Sequence, residues 1–338
     1  MMNNHTQNSL LLRFAGLREV GIFLFLILLV IAISLRSPVF LTFDNLYDIA
    51  LDSAILAIVA VGEMMVMLTG GIDISLGSGI GLSGMVVALF IMNHWGVPPV
   101  IAVLMGTVIG AVLGTINGLL IIKGNIPPVI TTLGTMSLYR GITFIINYAL
   151  NQGQWICADK YSPAFKDFAR GTFLFIPNLI FITLMVYALF YYFLNHTMTG
   201  RKMYAVGGNR EGAKFVGINV NLITFLPYLL TGMLVGTGGI LWVSRYTSAQ
   251  TDSAQGFEFL AITAVVLGGV NVAGGAGSIW GVLIGSVMIG ILNNALNLVR
   301  ISPFWKLAIN GLIILLAVIV DKLISRRVNE LLLARRKI

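Results

Sequence analysis

The sequence predicts an all-α polytopic membrane protein with about ten transmembrane helices. Of its 338 residues, 57% are hydrophobic and only 10% are charged, and the mean hydropathy is +0.93. The hydrophobic residues fall into segments of about 20, the length that crosses the ~30 Å hydrocarbon core of a bilayer. The 38 glycines favour tight helix packing, because a missing side chain lets two backbones approach each other.

Hydropathy divides the chain into a short N-terminal segment, 1–19, a transmembrane domain, 20–321, and a basic tail, 322–338. A loop at about 195–221 is too polar to span a membrane and too long for a simple turn. The eighth span is short and has glycine-rich sequence at both ends. The predicted spans are 20–40, 48–69, 78–94, 98–122, 128–149, 173–194, 222–243, 259–272, 278–299 and 304–321.

Lysine and arginine set the expected orientation, because basic loops remain in the cytoplasm. Basic side chains collect in the N-terminal segment, at Lys123, in the 195–221 loop and in the tail. With ten spans these regions lie on one face, so we expect both termini and the loop to be cytoplasmic. Arg245 and Arg300 disagree, since they fall on the outer side. The net charge of +8 therefore indicates membrane orientation and not nucleic-acid binding.

Spans 2–5 and 7–10 repeat each other weakly and in opposite orientation. Inverted repeats are typical of transport proteins that alternate access, while chance similarity between glycine-rich apolar segments is the other explanation. The matching pieces are Thr69-Gly70-Gly71-Ile72 with Thr237-Gly238-Gly239-Ile240, Ile109-Gly110 before Asn117 with Ile284-Gly285 before Asn293, and Ile126-Pro127 with the Ile301-Ser302-Pro303 sequence.

Two glycine-rich breaks, at 69–79 and 267–278, interrupt the apolar sequence. Irregular backbone at membrane depth is buried in protein or lines a cavity, and an ionisable residue there is a functional candidate. In the first break, Asp73 could instead cap the following helix within a short polar turn. The second break lacks the lysine of a phosphate-binding loop, and the chain has no Walker A sequence.

Within the spans, Glu63 could be a proton relay, the polar wall of a pathway, or a hydrogen-bonding residue inside a helix. Lys123 and Arg140 are expected to snorkel or to pair at helix ends. Arg245 and Glu258 belong to the polar residues of a predicted outer loop. The candidates for the pathway or gate are Glu63, Gly70, Gly71, Asp73, Ser75, Asn117, Arg140, Gly268, Gly269 and Asn271.

Catalytic chemistry has little support in this sequence. Cys157 is the one cysteine, so neither an intrachain disulfide nor a cysteine-based metal site is expected. No HExxH or GxSxG motif occurs. We therefore expect no enzyme activity, no cofactor and no metal in this chain.

The 195–221 loop contains Glu211-Gly212-Ala213 and then Gly217, and Leu226-Pro227 follows it. This spacing resembles the cytoplasmic coupling motif of ABC importer permeases, with Gly212 where that motif has alanine. About 20–325 of the chain resembles the carbohydrate permease family, which includes ribose, xylose, galactose, rhamnose and autoinducer-2 permeases. The supporting motifs are Gly70 to Ser78, Thr132-Leu133-Gly134-Thr135, Tyr139-Arg140-Gly141 and Ala261 to Gly269.

This resemblance implies a permease subunit in a bacterial inner membrane that imports a sugar or sugar-like solute. It also implies a second permease subunit, identical or homologous, two cytoplasmic ATPase subunits that hydrolyse the ATP, and a soluble solute-binding protein outside. In sequence, the segments 252–259 and 267–278 most resemble the autoinducer-2 and rhamnose members of the family. The alternative is a stand-alone ion- or proton-coupled transporter. In the first case the coupling residues are Arg201, Glu211, Gly212, Ala213, Gly217 and Pro227.

Overall fold

The computed structural model describes residues 33–302 without a break, together with 27, 30–31, 305–306, 308–312, 315 and 319. The N-terminal segment 1–19 and the basic tail 322–338 lie outside the described residues, as do large parts of the first and tenth predicted spans. The helices between them account for spans two to nine.

The described chain is built from helices, with one small hairpin. The helices are α1 (Phe43–Leu68), α2 (Leu76–Asn93), α3 (Pro99–Lys123), α4 (Pro128–Asn151), α5 (Pro163–Arg170), α6 (Asn178–His196), α7 (Met198–Gly208), α8 (Arg210–Phe215), α9 (Val220–Tyr246), α10 (Phe257–Leu267) and α11 (Ile279–Leu298). A 3₁₀ turn (Ala158–Lys160) and the antiparallel strands β1 (Thr172–Phe173) and β2 (Ile176–Pro177) lie between α4 and α6.

Seven helices in the described part of the chain are long and apolar enough to cross a membrane: α1, α2, α3, α4, α6, α9 and α11. The prediction of a helical polytopic membrane protein is confirmed, whereas the number ten is not. α10 corresponds to the eighth predicted span but has only 11 residues. At 1.5 Å per residue it covers about 16 Å, roughly half of the hydrocarbon core.

α1 forms the centre of the bundle. Every residue from Ser53 to Leu68 is buried, and α1 contacts α6, α9, α10 and α11. A span enclosed in this way has no polar face to present to water, which explains its nearly continuous apolar sequence.

The closest helix contact joins α3 to α9 through facing glycines. A Cβ on Gly110 would collide with the carbonyl oxygen of Gly232, and a Cβ on Gly236 with that of Gly106. The two helices run antiparallel, since Gly114 lies against Tyr228, nearer the start of α9. The glycines at i, i+4 and i+8 of α3 therefore form the small-residue interface that the composition predicts.

The packing agrees with the predicted inverted repeat. α3 packs along α9 as α11 packs along α1, and α2 contacts α9 as α10 contacts α1. In the predicted repeat α1 corresponds to α9, α2 to α10 and α3 to α11. Each of these contacts therefore has a counterpart in the other half of the repeat. One matching pair differs locally, because Gly70 lies in the break after α1 while Gly238 lies within helix α9. The contacts between helices therefore support the predicted repeat more strongly than that short motif does.

Arg245, a basic residue on the predicted outer side, is paired with acidic residues of α1. Its Nη2 lies 2.7 Å from Asp48 Oδ1, and its Nε lies 3.5 Å from Asp52 Oδ1. Its carbonyl accepts a hydrogen bond from Arg170 at 2.9 Å. Asp48 and Asp52 offset the charge of Arg245, which explains how the residue can depart from the positive-inside pattern.

Candidate functional site

The break after α1 centres on a buried polar network, which we define as Glu63, Asp73, Ser75, Asn117 and Tyr139. The backbone N–H of Asp73 donates to Glu63, 3.2 Å from Oε1 and 3.3 Å from Oε2. The chain therefore doubles back after α1 and places its irregular segment against a carboxyl group of that helix. All five side chains are buried, so the network lies inside the bundle.

Asp73 organises the start of α2. Its Oδ1 accepts from the N–H of Ser75 at 2.8 Å and from the Ser75 hydroxyl at 2.6 Å. Asn117 of α3 donates to Asp73 Oδ2 at 3.3 Å and to Ser75 Oγ at 2.9 Å. Tyr139 of α4 donates to Asn117 Oδ1 at 3.2 Å. The network therefore joins α2, α3 and α4 through the carboxylate of Asp73, and α1 through the backbone N–H of the same residue.

The glycines of this break allow its turn and its close packing. Gly70 has a φ of +82°, which a side chain rarely adopts. Gly71 has no room for a side chain, because the hydroxyl of Tyr228 occupies the place of its Cβ. Tyr228 is fully buried on α9, and its hydroxyl has no hydrogen-bond partner in the part of the chain that the structure describes.

The second break connects to the first at the predicted cytoplasmic side. Gly268 presses against Gly281 of α11, while Gly269 has a φ of +90°. Asn271 holds the loop by accepting from the N–H of Ala273 at 2.9 Å. The N–H of Gly275 then donates to the carbonyl of Leu68, the last residue of α1, at 3.0 Å. The structure thus brings the breaks together through their backbones but leaves Gly268, Gly269 and Asn271 outside the polar network.

Gly207 of α7 completes this contact. A Cβ at Gly207 would collide with the carbonyl of Leu68 and approach the nitrogen of Gly275 to 2.6 Å. Tyr204, one turn earlier, donates to the carbonyl of Gly277 at 3.2 Å, and burial raises its pKa, so its hydroxyl remains a neutral donor. We call the contact of Leu68, Gly207 and Gly275 the glycine junction. It links the 195–221 loop directly to both breaks.

Arg140 lies apart from the polar network. The prediction that Arg140 snorkels or pairs at a helix end is wrong, because it lies within α4 and its Nη1 donates to the carbonyls of Thr251 and Ser253 at 2.9 and 2.8 Å. Lys123 is exposed at the end of α3, where snorkelling is possible. Arg140 instead fixes the segment that returns from α9 to the start of α10.

This returning segment, residues 247–256, runs back along α2. The carbonyl of Ser253 lies near Gly81, and Ala254 and Glu258 lie against Gly77. Glu258, expected in an outer loop, is buried, and no described residue forms a hydrogen bond with its Oε2. Its sequence neighbours Asp252 and Gln255 suggested a hydrated loop, so no local signal indicated its burial.

The 195–221 loop forms two short helices. Asn209 caps α8 by accepting from the N–H of Gly212 at 2.8 Å. α8 ends in a Schellman motif: Gly217, at a φ of +79°, precedes Ile218, whose N–H donates to the carbonyl of Ala213 at 3.0 Å. This geometry explains the residue types of the motif, because the αL position favours glycine and Ala213 is buried.

The other loop residues divide between the surface and the bundle. Arg201 and Glu211 are exposed, whereas Pro227 is buried in α9, beside Tyr228. Phe215 and Val216 are 88% and 77% exposed, although both are apolar. Isolated apolar residues at a surface are common, but an adjacent pair on a capped helix suits a binding surface.

Sequence reasoning missed two members of the site. Tyr139 belonged to a recognised motif in which only Arg140 was selected, and Tyr228 was overlooked beside Pro227. A signal for Tyr228 exists, because Thr224, Tyr228 and Thr231 form a buried polar stripe on one face of α9.

Seven apolar spans with broken segments, a buried polar network at one break and an exposed pair of helices define a multi-pass membrane transport protein. The chain matches, over residues 45–318, the family described as "Branched-chain amino acid transport system / permease component". It belongs to that family. No solved structure matches the chain.

Curated relatives cover nearly the whole chain. A ribose import permease protein of Bacillus subtilis is 41% identical over 90% of this chain and 93% of its own length. A D-allose transport system permease protein of Escherichia coli is 33% identical, over 89% and 91%. A galactose/methyl galactoside import permease protein of the same species is 33% identical, over 91% and 95%. The greater similarity to the rhamnose and autoinducer-2 permeases remains a prediction.

Proposed function

We propose that this chain is the membrane permease subunit of an ATP-driven importer for a monosaccharide or a similar solute. Its family is described as a permease component, and relatives of the full chain are named for ribose, allose and galactose. A solute-binding protein outside and a second permease subunit complete the proposed assembly in the bacterial inner membrane. ATP is hydrolysed by separate subunits on the cytoplasmic side, where both termini lie.

The observation that carries this proposal is the form of the α7–α8 loop. Its helices are capped by Thr197 and Asn209, so the loop is ordered without a partner. It presents the apolar pair Phe215 and Val216 among exposed charges. Such a short helix with an apolar anchor fits a groove on another protein. The glycine junction then offers a direct route from this docking surface to the breaks.

The route works through backbone contact. If the ATPase subunits shift α7, Gly207 moves against the carbonyl of Leu68, and Gly275 follows through its hydrogen bond to the same carbonyl. The segment 69–75 begins at Leu68 and ends at the polar network. ATP-driven movement of the loop would thus change the position of Asp73 relative to Glu63.

The decisive experiment measures assembly and transport with a substituted docking surface. Phe215→Ser with Val216→Ser should abolish co-purification of the ATPase subunits and ATP-dependent sugar uptake in proteoliposomes. The folded permease should be unchanged, because both side chains are exposed. Glu211→Lys should weaken the same assembly by reversing a charge on α8.

The matched control is Phe175→Ser, which removes a fully exposed phenylalanine from the turn between β1 and β2. It should leave ATPase binding intact. Uptake by the purified permease without an ATPase would instead establish the stand-alone ion- or proton-coupled transporter. Normal assembly of the Phe215→Ser, Val216→Ser variant would remove α8 from the docking surface.

A further inference from the structure

The polar network contains two buried carboxyl groups, Glu63 and Asp73, and the backbone of one donates to the side chain of the other. Among the described residues, no lysine, arginine or histidine forms an ion pair with either group. An unpaired charge buried in apolar surroundings is so costly that the group takes up a proton instead. Two neighbouring carboxyl groups in such a place do not both ionise.

The hydrogen bonds show which of the two carries the charge. Asp73 accepts from the N–H and hydroxyl of Ser75 and from the amide of Asn117. Among the described residues, Glu63 accepts only the N–H of Asp73, shared between its two oxygens. Because donors stabilise the ionised form, the negative charge belongs on Asp73 and Glu63 is the neutral partner.

Tyr228 supplies an independent observation. It is fully buried and its hydroxyl lies against Gly71 in the same break, but that hydroxyl makes no hydrogen bond to Glu63 or to any other described residue. Hydrogen-bond donors stabilise the ionised form of a carboxyl group. Tyr228 therefore does not stabilise a negative charge on Glu63.

We propose that Glu63 is a proton-binding site: it holds a proton while the segment 69–75 is packed against α1. When the segment moves away, water reaches Glu63 and the proton passes to it, which leaves a carboxylate. The proton returns from water when the segment packs again. Protons thus bind and dissociate with the gate, without being the source of energy for transport.

The surroundings of Glu63 agree with a neutral group. The polar and titratable groups packed around the break are negative or uncharged, apart from Arg210 on the exposed helix α8. These groups are Asp73 in the break, Asn117 on α3, Tyr139 on α4, Tyr228 on α9, Arg210 on α8 and Glu258 on α10, beyond Gly77.

Infrared spectroscopy of the purified permease with ¹³C-labelled glutamate tests this directly and needs no partner protein. All samples carry Glu258→Gln, because Glu258 is the other buried glutamate in the described part of the chain. The spectrum at neutral pH should contain the C=O stretch of a protonated carboxylic acid, and Glu63→Gln should remove it. Glu211→Gln, a change at an exposed carboxylate on α8, is the matched control and should leave the band in place.

Thermal unfolding gives a second measure. If folded Glu63 keeps a proton that the unfolded chain releases above about pH 4.3, rising pH must destabilise the folded protein. The melting temperature of the wild type should therefore fall relative to Glu63→Gln between pH 6 and pH 8. This comparison uses relative values, so a moderate loss of stability in the variant does not obscure it.

Clear results would overturn the inference. One is a spectrum without the acid band, as expected if both carboxylates are ionised around a bound metal cation. Another is a band that persists in Glu63→Gln. These measurements concern the permease alone, so they are independent of the proposed import of sugars.

Discussion

The contact between Gly71 and Tyr228 gives a sharp test of how tightly the first break is packed. A Cβ added at Gly71 first meets the Tyr228 hydroxyl oxygen, and then Val66 Cγ1 at 3.1 Å and Tyr228 Cζ at 3.4 Å. Tyr228 cannot easily move, because it is buried against Val66 and Ile121. Gly71→Ala should therefore lower the free energy of unfolding by about 1–3 kcal/mol, the usual cost of overpacking.

The second substitution removes the obstacle. Tyr228→Phe deletes the hydroxyl that the new methyl group strikes and leaves the ring edge at an ordinary contact distance. Alone it should be neutral or slightly stabilising, because it removes a buried hydroxyl that has no hydrogen-bond partner among the described residues. In the double variant most of the cost of Gly71→Ala should disappear, so the two substitutions couple by about 1–2 kcal/mol.

Denaturant titrations of the wild type, both single variants and the double variant in mixed micelles give this coupling. Gly134→Ala is the control, because a Cβ there meets nothing within 4 Å. That helical substitution should be neutral or stabilise the protein by about 0.5–1 kcal/mol. Additive costs at Gly71 and Tyr228 would show that the two residues do not touch.

Three further predictions concern packing, the returning segment and orientation. Gly110→Leu should prevent α3 from packing on α9 and abolish recovery of folded permease, while Gly141→Leu, in open space on α4, should be tolerated; equal yields would contradict the contact. Arg140→Gln should cost about 1.5–3 kcal/mol by removing charged hydrogen bonds to two carbonyls, and an unchanged unfolding curve would place Arg140 elsewhere. In a Cys157→Ser background, Arg210→Cys should react with an impermeant thiol reagent only in inverted vesicles, and labelling from outside would reverse the predicted orientation.

Hydropathy predicted most of the helices. The predicted spans 98–122 and 278–299 differ from α3 and α11 by one residue at each end. These spans begin and end where the free energy of transferring residues from water to lipid changes sign. That free energy depends only on the local sequence. The eighth span was placed too long, because 268–272 is apolar in composition but turns at Gly269.

The site was less accessible to sequence reasoning. Glycine and carboxylate composition pointed to Gly71, Asp73 and Glu63, since such residues are unusual in an apolar span. The contact of the Asp73 N–H with Glu63 depends on the left-handed turn at Gly70. No pattern in the sequence reports such a turn.

The polar residues of 247–256 predict an outer loop, whereas the structure packs this half-buried segment against α2. Its position depends on Arg140, more than 100 positions earlier in the chain, which donates to two of its carbonyls. A sliding window along the sequence cannot detect a donor so far away. Glu258 was misplaced for the same reason.

The shortness of α10 has a consequence for how this protein is made. A helix covering about 16 Å leaves the polar backbone of its flanking segments facing lipid if it enters the bilayer alone, and each unsatisfied group costs several kcal/mol. The partners that satisfy the segment before α10 are already present, since Arg140 is synthesised earlier. The partner of the segment after α10 has not yet been synthesised at that point, because Gly268 packs on Gly281 of α11. We therefore expect α10 to wait at the translocon until α11 has been synthesised, so that both enter the membrane as one helical hairpin.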